Sequence, residues 1–262
     1  MSLVRSDGGV VWRIVLNRPE ARNAVSGPML DELGGALGEG AVDGRARVVV
    51  LSGEGPDFCA GAELGELEAA AGRPGGVDYG RGLEEVLRAI SDHPLPVVAA
   101  IRGAALGAGC QIAVACDLAV AASDARLGIP SAGLGVVIGY ENIERLVLSV
   151  GPKRAAELVV AGRTLSGQEA SAWGLANESV PADDLDPRVA ELAEGIAASA
   201  PLSVRASKRG VRSVLAGLSL DRAEGFRVAD FDMMAAQAFA SEDLREGIRA
   251  FRERRGPEFR GS

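Results

Sequence analysis

Two spacings of apolar residues alternate along this chain, and the switches between them lay out its elements. Val10-Val-Trp-Arg-Ile-Val-Leu16 is rich in β-branched residues and lies between Gly8-Gly9 and Asn17-Arg-Pro, the pattern of a strand. Met29, Leu30, Leu33 and Leu37 then recur at helical spacing, with Ser26 placed to cap the helix and Gly38 and Gly40 to end it. Arg47-Val-Val-Val-Leu51 is short and continuously apolar, as expected of a strand covered on both faces. Residues 65–80, rich in Gly, Ala and Glu, read as a mobile loop and a candidate lid, and Leu83, Val86, Leu87 and Ile90 form the next helical face. A strand over Val97–Ile101, a helix after Gly107, a strand over Leu118–Ala121 and helices from Asn142 and Pro152 follow. Ser166-Gly-Gln-Glu169 is a capping box that opens another helix. After a strand near Ala176–Val180, everything from about Asp184 to Arg255 has helical character. Strands alternating with helices predict an α/β fold, and the tail predicts an all-helical appendage.

Composition narrows the functional classes. The 262 residues suit one large domain or two small ones, and 47% hydrophobic residues are too many for a disordered chain. The 28 basic residues against 36 acidic ones give a formal charge of −8, which argues against nucleic-acid or anionic-membrane partners. Cys59, Cys110 and Cys116 are too few for a disulfide scaffold and suggest a reducing, cytoplasmic setting. They have no zinc spacing. His93 is the only histidine, and a Ser-His-Asp or Cys-His site would have to draw on it from a Ser-Asp-His-Pro connection between elements. Residues 97–122 are apolar, yet Arg102, Gln111 and Asp117 interrupt them, so they predict buried strand, turn and helix rather than a membrane span. The N-terminus lacks the basic, apolar and small-residue progression of a signal peptide.

Candidate chemistry lies in two glycine-rich turns, each following a strand and entering a helical segment. These are Phe58-Cys-Ala-Gly-Ala-Glu63 and Arg102-Gly-Ala-Ala-Leu-Gly-Ala-Gly-Cys110. Neither has the spacing of a dinucleotide fingerprint or the Gly-Lys-Ser/Thr of a P-loop. A turn entering a helix leaves N–H groups unpaired, and small residues let a ligand oxygen approach them. Two such turns facing each other would form an oxyanion hole. Spacing alone equally allows tight strand–helix turns with no ligand.

Taken together, these motifs resemble the crotonase superfamily, the enoyl-CoA hydratase/isomerase fold, over residues 10–260. The resemblance runs through Leu16-Asn-Arg-Pro-Glu-Ala-Arg-Asn-Ala24, Phe58–Leu64, Pro96–Gly103 and Leu106-Gly-Ala-Gly-Cys-Gln-Ile112. It continues through Cys116-Asp117, Gly133-Leu-Gly135, Arg145-Leu146, Val150-Gly151 and Trp173-Gly-Leu175, and closes with Phe251–Phe259. It implies a ββα-spiral core over residues 1–195 and a C-terminal helical region over 196–262 that forms a homotrimer or a dimer of trimers. It also implies acyl-CoA thioester ligands, fatty-acid metabolism and a lyase or isomerase class of chemistry, while the lack of a ligand cluster or nucleotide fingerprint in the sequence predicts no metal or redox cofactor. Carried across by position, the oxyanion-hole donors are the N–H groups of Ala62 and Ala108, the second being glycine in most relatives. Ala21, Arg22, Ala24, Ala60, Glu63, Leu64, Gly109, Pro130 and Leu134 would line the ligand path, and Arg252, Arg254 and Arg255 would lie near the CoA phosphates.

The same comparison exposes a departure. Hydratases of this superfamily carry two glutamates, one activating water and one handling the α-carbon proton, at the positions of Gln111 and Ser131. An amide has no titratable proton near neutral pH and a lone hydroxyl is a poor base, so ordinary hydration is not expected. Glu141, early in a predicted helix, is the candidate substitute, and Glu63 a second; the bland role of either is to favour the helix dipole. Three functions follow from the resemblance: a hydratase/isomerase-type enzyme, a non-catalytic acyl-CoA binder or carrier, and a different reaction such as decarboxylation or thioester hydrolysis.

Overall fold

The computed structural model describes residues 2–70, 77–217, 233 and 236–260. Its main sheet has the order β1 (Val4–Asp7), β2 (Val11–Leu16), β3 (Val48–Gly53), β4 (Val97–Ile101), β6 (Leu118–Ala122) and β9 (Glu178–Val180). β1 pairs antiparallel to β2 and all the later pairs are parallel. A second sheet joins β5 (Ala104–Leu106), β7 (Arg126–Gly128) and β8 (Thr164–Ser166). β4 is buried at every position, which is why its sequence is an unbroken apolar run. The helix α8 (Leu185–Ala198) lies across β2, β3, β4 and β6. β1, β5, β7 and β8 escape the hydrophobic pattern because each spans three or four residues.

Two expectations change. The helix α1 (Gly27–Val42) runs through Gly38 and Gly40 instead of ending at them. Gly40 faces the Trp12 ring, where a Cβ would come within 2.9 Å of a ring carbon, so this glycine is a packing residue. Met29, Leu33 and Leu37 are fully buried, and that burial outweighs the ~1 kcal/mol that each interior glycine costs. Ser26 occupies the cap position but its hydroxyl makes no capping bond.

The second change concerns residues 65–80, read as a loop. Helix α2 (Leu64–Ala70) occupies the first part and α3 (Val77–Asp92) begins in the last part; residues 71–76 lie outside the described residues, and the lid reading with them. α2 is held because Leu67 packs with Leu244 and Ile248 of a distant helix, numbered α10 here (Glu242–Glu253). Glu66 accepts a hydrogen bond from the Gly27 N–H, and Glu68 pairs with Arg252. These partners lie far away in the chain, so local composition carries no trace of them.

Between them, α4 (Ala108–Ala115), α5 (Tyr140–Val150), α6 (Pro152–Val159) and α7 (Gly167–Trp173) complete the core. The capping box at Ser166 and Glu169 forms as read: Ser166 Oγ accepts from the Glu169 N–H, and the Glu169 carboxylate accepts from the Ser166 N–H. Helix α9 (Pro201–Gly217) leaves Leu202, Val211 and Val214 exposed. It is tied to the core by Lys208, whose Nζ donates to the Asp117 carboxylate at 2.6 Å and the Leu95 carbonyl at 3.0 Å.

Candidate active site

The two glycine-rich turns meet. Gly61 has φ +115° and Gly107 φ +53°, conformations that favour glycine, and a Cβ on Gly61 would lie 3.0 Å from the Leu106 carbonyl oxygen and 3.9 Å from the Ala108 nitrogen. Around them, short backbone bonds lock the turns edge to edge: Cys59 N–H to Ala104 O at 2.8 Å, Leu106 N–H to Cys59 O at 3.0 Å, and Val25 N–H to Gly61 O at 2.8 Å. Ala62 bridges to Val25 and Ala108 opens α4. Among the described residues, neither the Ala62 N–H nor the Ala108 N–H donates to a protein acceptor.

Both alanines face a cavity of about 1030 Å³. Ala21, Arg22, Ala24, Ala60, Glu63 and Leu64 line it from the first half of the chain. Gln111, Pro130, Ser131, Leu134 and Glu141 line it from the second. Gly109 does not: a Cβ there would sit 2.3 Å from the Cys59 carbonyl oxygen, so this glycine lets α4 pack against the first turn. Gln111 is 7% exposed and its amide hydrogen-bonds to no described residue. Ser131 sits half-buried in the 3-10 turn Pro130–Leu134.

The wall loops are held rigidly. Arg22 and Asn23 have φ +52° and +54°, and Asn23, fully buried, satisfies this turn with three bonds: from the Arg18 N–H, and to the carbonyls of Glu54 and Asp57. Asp57, itself buried, accepts from Arg22 Nε at 2.7 Å and from the Ala104 N–H at 2.7 Å, tying both turns to one carboxylate. The Arg22 guanidinium, helped by that N–H, holds Asp57 below the usual carboxylate range against the opposing effect of burial. Arg18 grips Glu63 with two bonds, at 2.6 and 2.9 Å, and lowers its pKa. Glu63 is therefore an ion-pair partner, ill suited to replace a proton-transfer base.

Sequence reasoning missed Glu84. It lies next to Leu83 on the edge of the apolar face of α3, and it reaches the cavity wall. Its carboxylate accepts from Asn142 Nδ2 at 3.0 Å and from the Arg145 guanidinium at 2.8 Å. Burial pushes its pKa up, as does a hydrogen bond shared with Glu141, and Arg145 opposes both. Glu141 moves down instead, through that shared bond and the charges of Arg88 and Arg145. The cavity also takes walls that no motif marked: Leu67, Val136 and Ile138, with Phe239 and Phe251 from the C-terminal region.

Other candidates have structural roles. His93 is buried, its Nε2 donating to the Leu37 carbonyl at 3.1 Å and its Nδ1 accepting from the Leu95 N–H at 3.1 Å; burial lowers its pKa. Burial pushes the thiols of Cys59 and Cys110 up to about 12 and raises that of Cys116, so none is a thiolate nucleophile. Arg252 is taken by Glu68, and Arg255 by Glu246 and Glu253, while Arg254 ends α10 in a left-handed conformation. Among the described residues, no cluster of three His, Cys, Asp or Glu is placed to hold a metal, and no helix is long and apolar enough to cross a membrane.

A mixed α/β core whose two glycine-rich turns meet at one cavity is the architecture of crotonase-fold proteins. Residues 6–262 match the family model described as enoyl-CoA hydratase/isomerase, and the chain belongs to that family. It is 35% identical to the 2,3-dehydroadipyl-CoA hydratase of Escherichia coli, covering 96% of this chain and 95% of that one. Its structure is similar to an enoyl-CoA hydratase/isomerase from Xanthobacter autotrophicus, with a TM-score of 0.86, 29% identity, and coverage of 96% and 93%. It is also similar to methylmalonyl-CoA decarboxylase in complex with 2-nitronate-propionyl-CoA, with a TM-score of 0.87, 26% identity and 99% coverage of both chains. Relatives of this kind act on CoA thioesters.

Proposed function

We propose that this protein binds acyl-CoA thioesters and polarises them for chemistry at the α-carbon, without acting as an ordinary hydratase. The observation that carries this is that the N–H groups of Ala62 and Ala108, on two turns that meet, have no protein acceptor among the described residues and that both residues line one cavity of about 1030 Å³. Donors held rigidly in a site that excludes water stabilise a negative oxygen far better than mobile water does. The thioester oxygen takes both bonds, and the acyl chain runs along Leu67, Leu134 and Ile138. Gln111 and Ser131 hold positions where hydratases carry glutamates, and they serve as hydrogen-bonding groups toward the ligand. Glu141 borders the same space.

The departure at residues 111 and 131 favours two alternatives, a non-catalytic acyl-CoA carrier or a reaction that needs mainly enolate stabilisation. Likeness to a methylmalonyl-CoA decarboxylase supports the latter, and thioester hydrolysis belongs to the same group. The exposed Leu202, Val211 and Val214 on α9 support self-association of the 196–262 region into a trimer or a dimer of trimers, around a core of residues 1–195. Three free cysteines fit a reducing, cytoplasmic compartment.

The test pairs titration of the protein with acyl-CoA against the loss of enoyl-CoA ultraviolet absorbance. Saturable binding with no hydration of short- or long-chain 2-trans-enoyl-CoA is the expected result. Hydration that survives repurification overturns the exclusion of hydratase activity, and absence of acyl-CoA binding overturns the function as a whole.

A further inference from the structure

Helix α9 rests on the core through a thin, mostly polar contact. Among its described residues none is fully buried, and the half-covered ones, Pro201, Val204, Lys208 and Arg212, form one stripe at helical spacing. Arg212 pairs with Asp92 at 2.5 Å, while Lys208 reaches deeper, to the Asp117 carboxylate and the Leu95 carbonyl. An element held by so little buried apolar surface opens at low cost, so each polar tie counts.

One of those ties leads to the chain's single histidine. His93 Nε2 lies 3.1 Å from the Leu37 carbonyl and so carries the hydrogen of the neutral ring. Nδ1 is then the acceptor, and it takes the Leu95 N–H at 3.1 Å. The same Nδ1 lies 3.2 Å from the Leu95 carbonyl oxygen, which already receives Lys208 Nζ at 3.0 Å. A proton added at Nδ1 turns this acceptor into a donor. The buried Leu95 N–H then loses its partner, and the ring N–H and the Lys208 ammonium compete for one carbonyl oxygen as two neighbouring cations.

We infer that His93 is a proton-sensitive latch for α9: the neutral ring leaves the Leu95 carbonyl to Lys208, and protonation drives Lys208 off it and loosens the helix. The charged groups around the ring come from every side. α9 brings Lys208 and Arg212; the segment before β6 brings Asp117, which also accepts from the Val97 N–H; α3 ends in Asp92, held by Arg212; and α1 offers the neutral Leu37 carbonyl. Burial, with the Lys208 charge in support, holds the ring pKa below its ordinary value, against the two backbone carbonyls and Asp117. The docked state therefore binds the proton less readily than the open one. Docking is complete above the ordinary histidine pKa of about 6.5 and is lost as pH falls from there toward the docked value.

The experiment measures hydrogen-exchange protection of α9 in the full chain from about pH 7.5 to about pH 5, corrected for intrinsic exchange rates, and follows the imidazole by NMR, where a single histidine needs no assignment. In wild type, α9 protection is expected to fall by up to roughly tenfold per pH unit below about 6.5, while the core helices keep theirs. His93→Asn, which keeps a side-chain acceptor but does not titrate, is expected to flatten that profile. Lys208→Met is expected to move the imidazole midpoint up. A flat α9 profile in wild type, a fall shared by the whole chain, a wild-type profile in folded His93→Asn, or an unmoved midpoint in Lys208→Met each overturns the latch. Where His93→Asn does not fold, the imidazole midpoint in Lys208→Met decides.

Discussion

Replacing Ala108 by proline deletes one of the two proposed oxyanion donors and sets the ring Cδ where its N–H pointed, while the helix is spared because Ala108 is the first residue of α4. Proline is tolerated there: the amide makes no helical bond, and the ring's fixed φ suits a helix start. Gly107 precedes it with φ +53° and ψ −116°, so no side chain meets the ring from that side. A neutral thioester oxygen loses one hydrogen bond, worth about 0.5–1.5 kcal/mol, and is displaced by the ring, so its affinity should fall at least roughly two- to tenfold. An enolate oxygen loses more, because the donor faces developing charge, so α-carbon exchange should fall roughly 10²–10³-fold. The assay compares butyryl-CoA with its thioether analogue, which keeps the chain but lacks the carbonyl. Ala108→Pro should weaken the thioester and spare the thioether, and Ala108→Gly, which keeps the N–H, should bind both as wild type does. Equal loss for both ligands in a variant of unchanged thermal stability would refute the oxyanion role of this amide.

Four further outcomes follow from the geometry. Gln111→Glu combined with Ser131→Glu should create enoyl-CoA hydration from an inactive parent, since each positioned acid–base group contributes roughly 10²–10⁴ in rate; a folded, ligand-binding double variant with no absorbance loss would refute the account of the missing glutamates. Gly103→Ala would place a Cβ 2.1 Å from the Pro56 carbonyl oxygen at φ +52°, and should lower the melting temperature by an amount equivalent to about 3 kcal/mol or more. Asp57, with its pKa lowered in the fold, adds stability that is complete above the unfolded carboxylate pKa of about 3.9 and is lost as pH falls through the folded value; Asp57→Asn should flatten the acid limb of a melting-temperature profile. Lys208→Met removes the ion pair that ties α9 to Asp117, which keeps its bond from the Val97 N–H, and should cost about 1 kcal/mol by denaturant titration, with loss of α9 protection in hydrogen exchange.

What the sequence made legible was what local pattern controls. Period-two and helical spacings located the long strands and helices, and the order of motifs pointed to the superfamily. The two donor turns were readable because their glycines mark positions where backbone must approach backbone. Features hidden from the sequence share one cause, a partner far away along the chain. α2 reads as loop because Leu67 needs Leu244 and Ile248 to bury it. Glu84 reads as the polar edge of a helix because Asn142, Glu141 and Arg145, which give it its character, lie more than fifty residues later. Gly109 reads as part of the ligand path by position, whereas contact with Cys59 gives it another task.

The division of labour within the site explains how such a chain can depart from the hydratase pattern. In the proposed function, polarisation of the thioester falls to backbone N–H groups on turns shaped by left-handed glycines and flanked by loops pinned through Asn23, Asp57 and Arg18. None of these depends on the side chains at 111 and 131. Under that proposal, Gln111 and Ser131 in place of glutamates take away proton carriers without altering the backbone donors. What then decides the reaction is which other wall group can hold a proton beside the α-carbon.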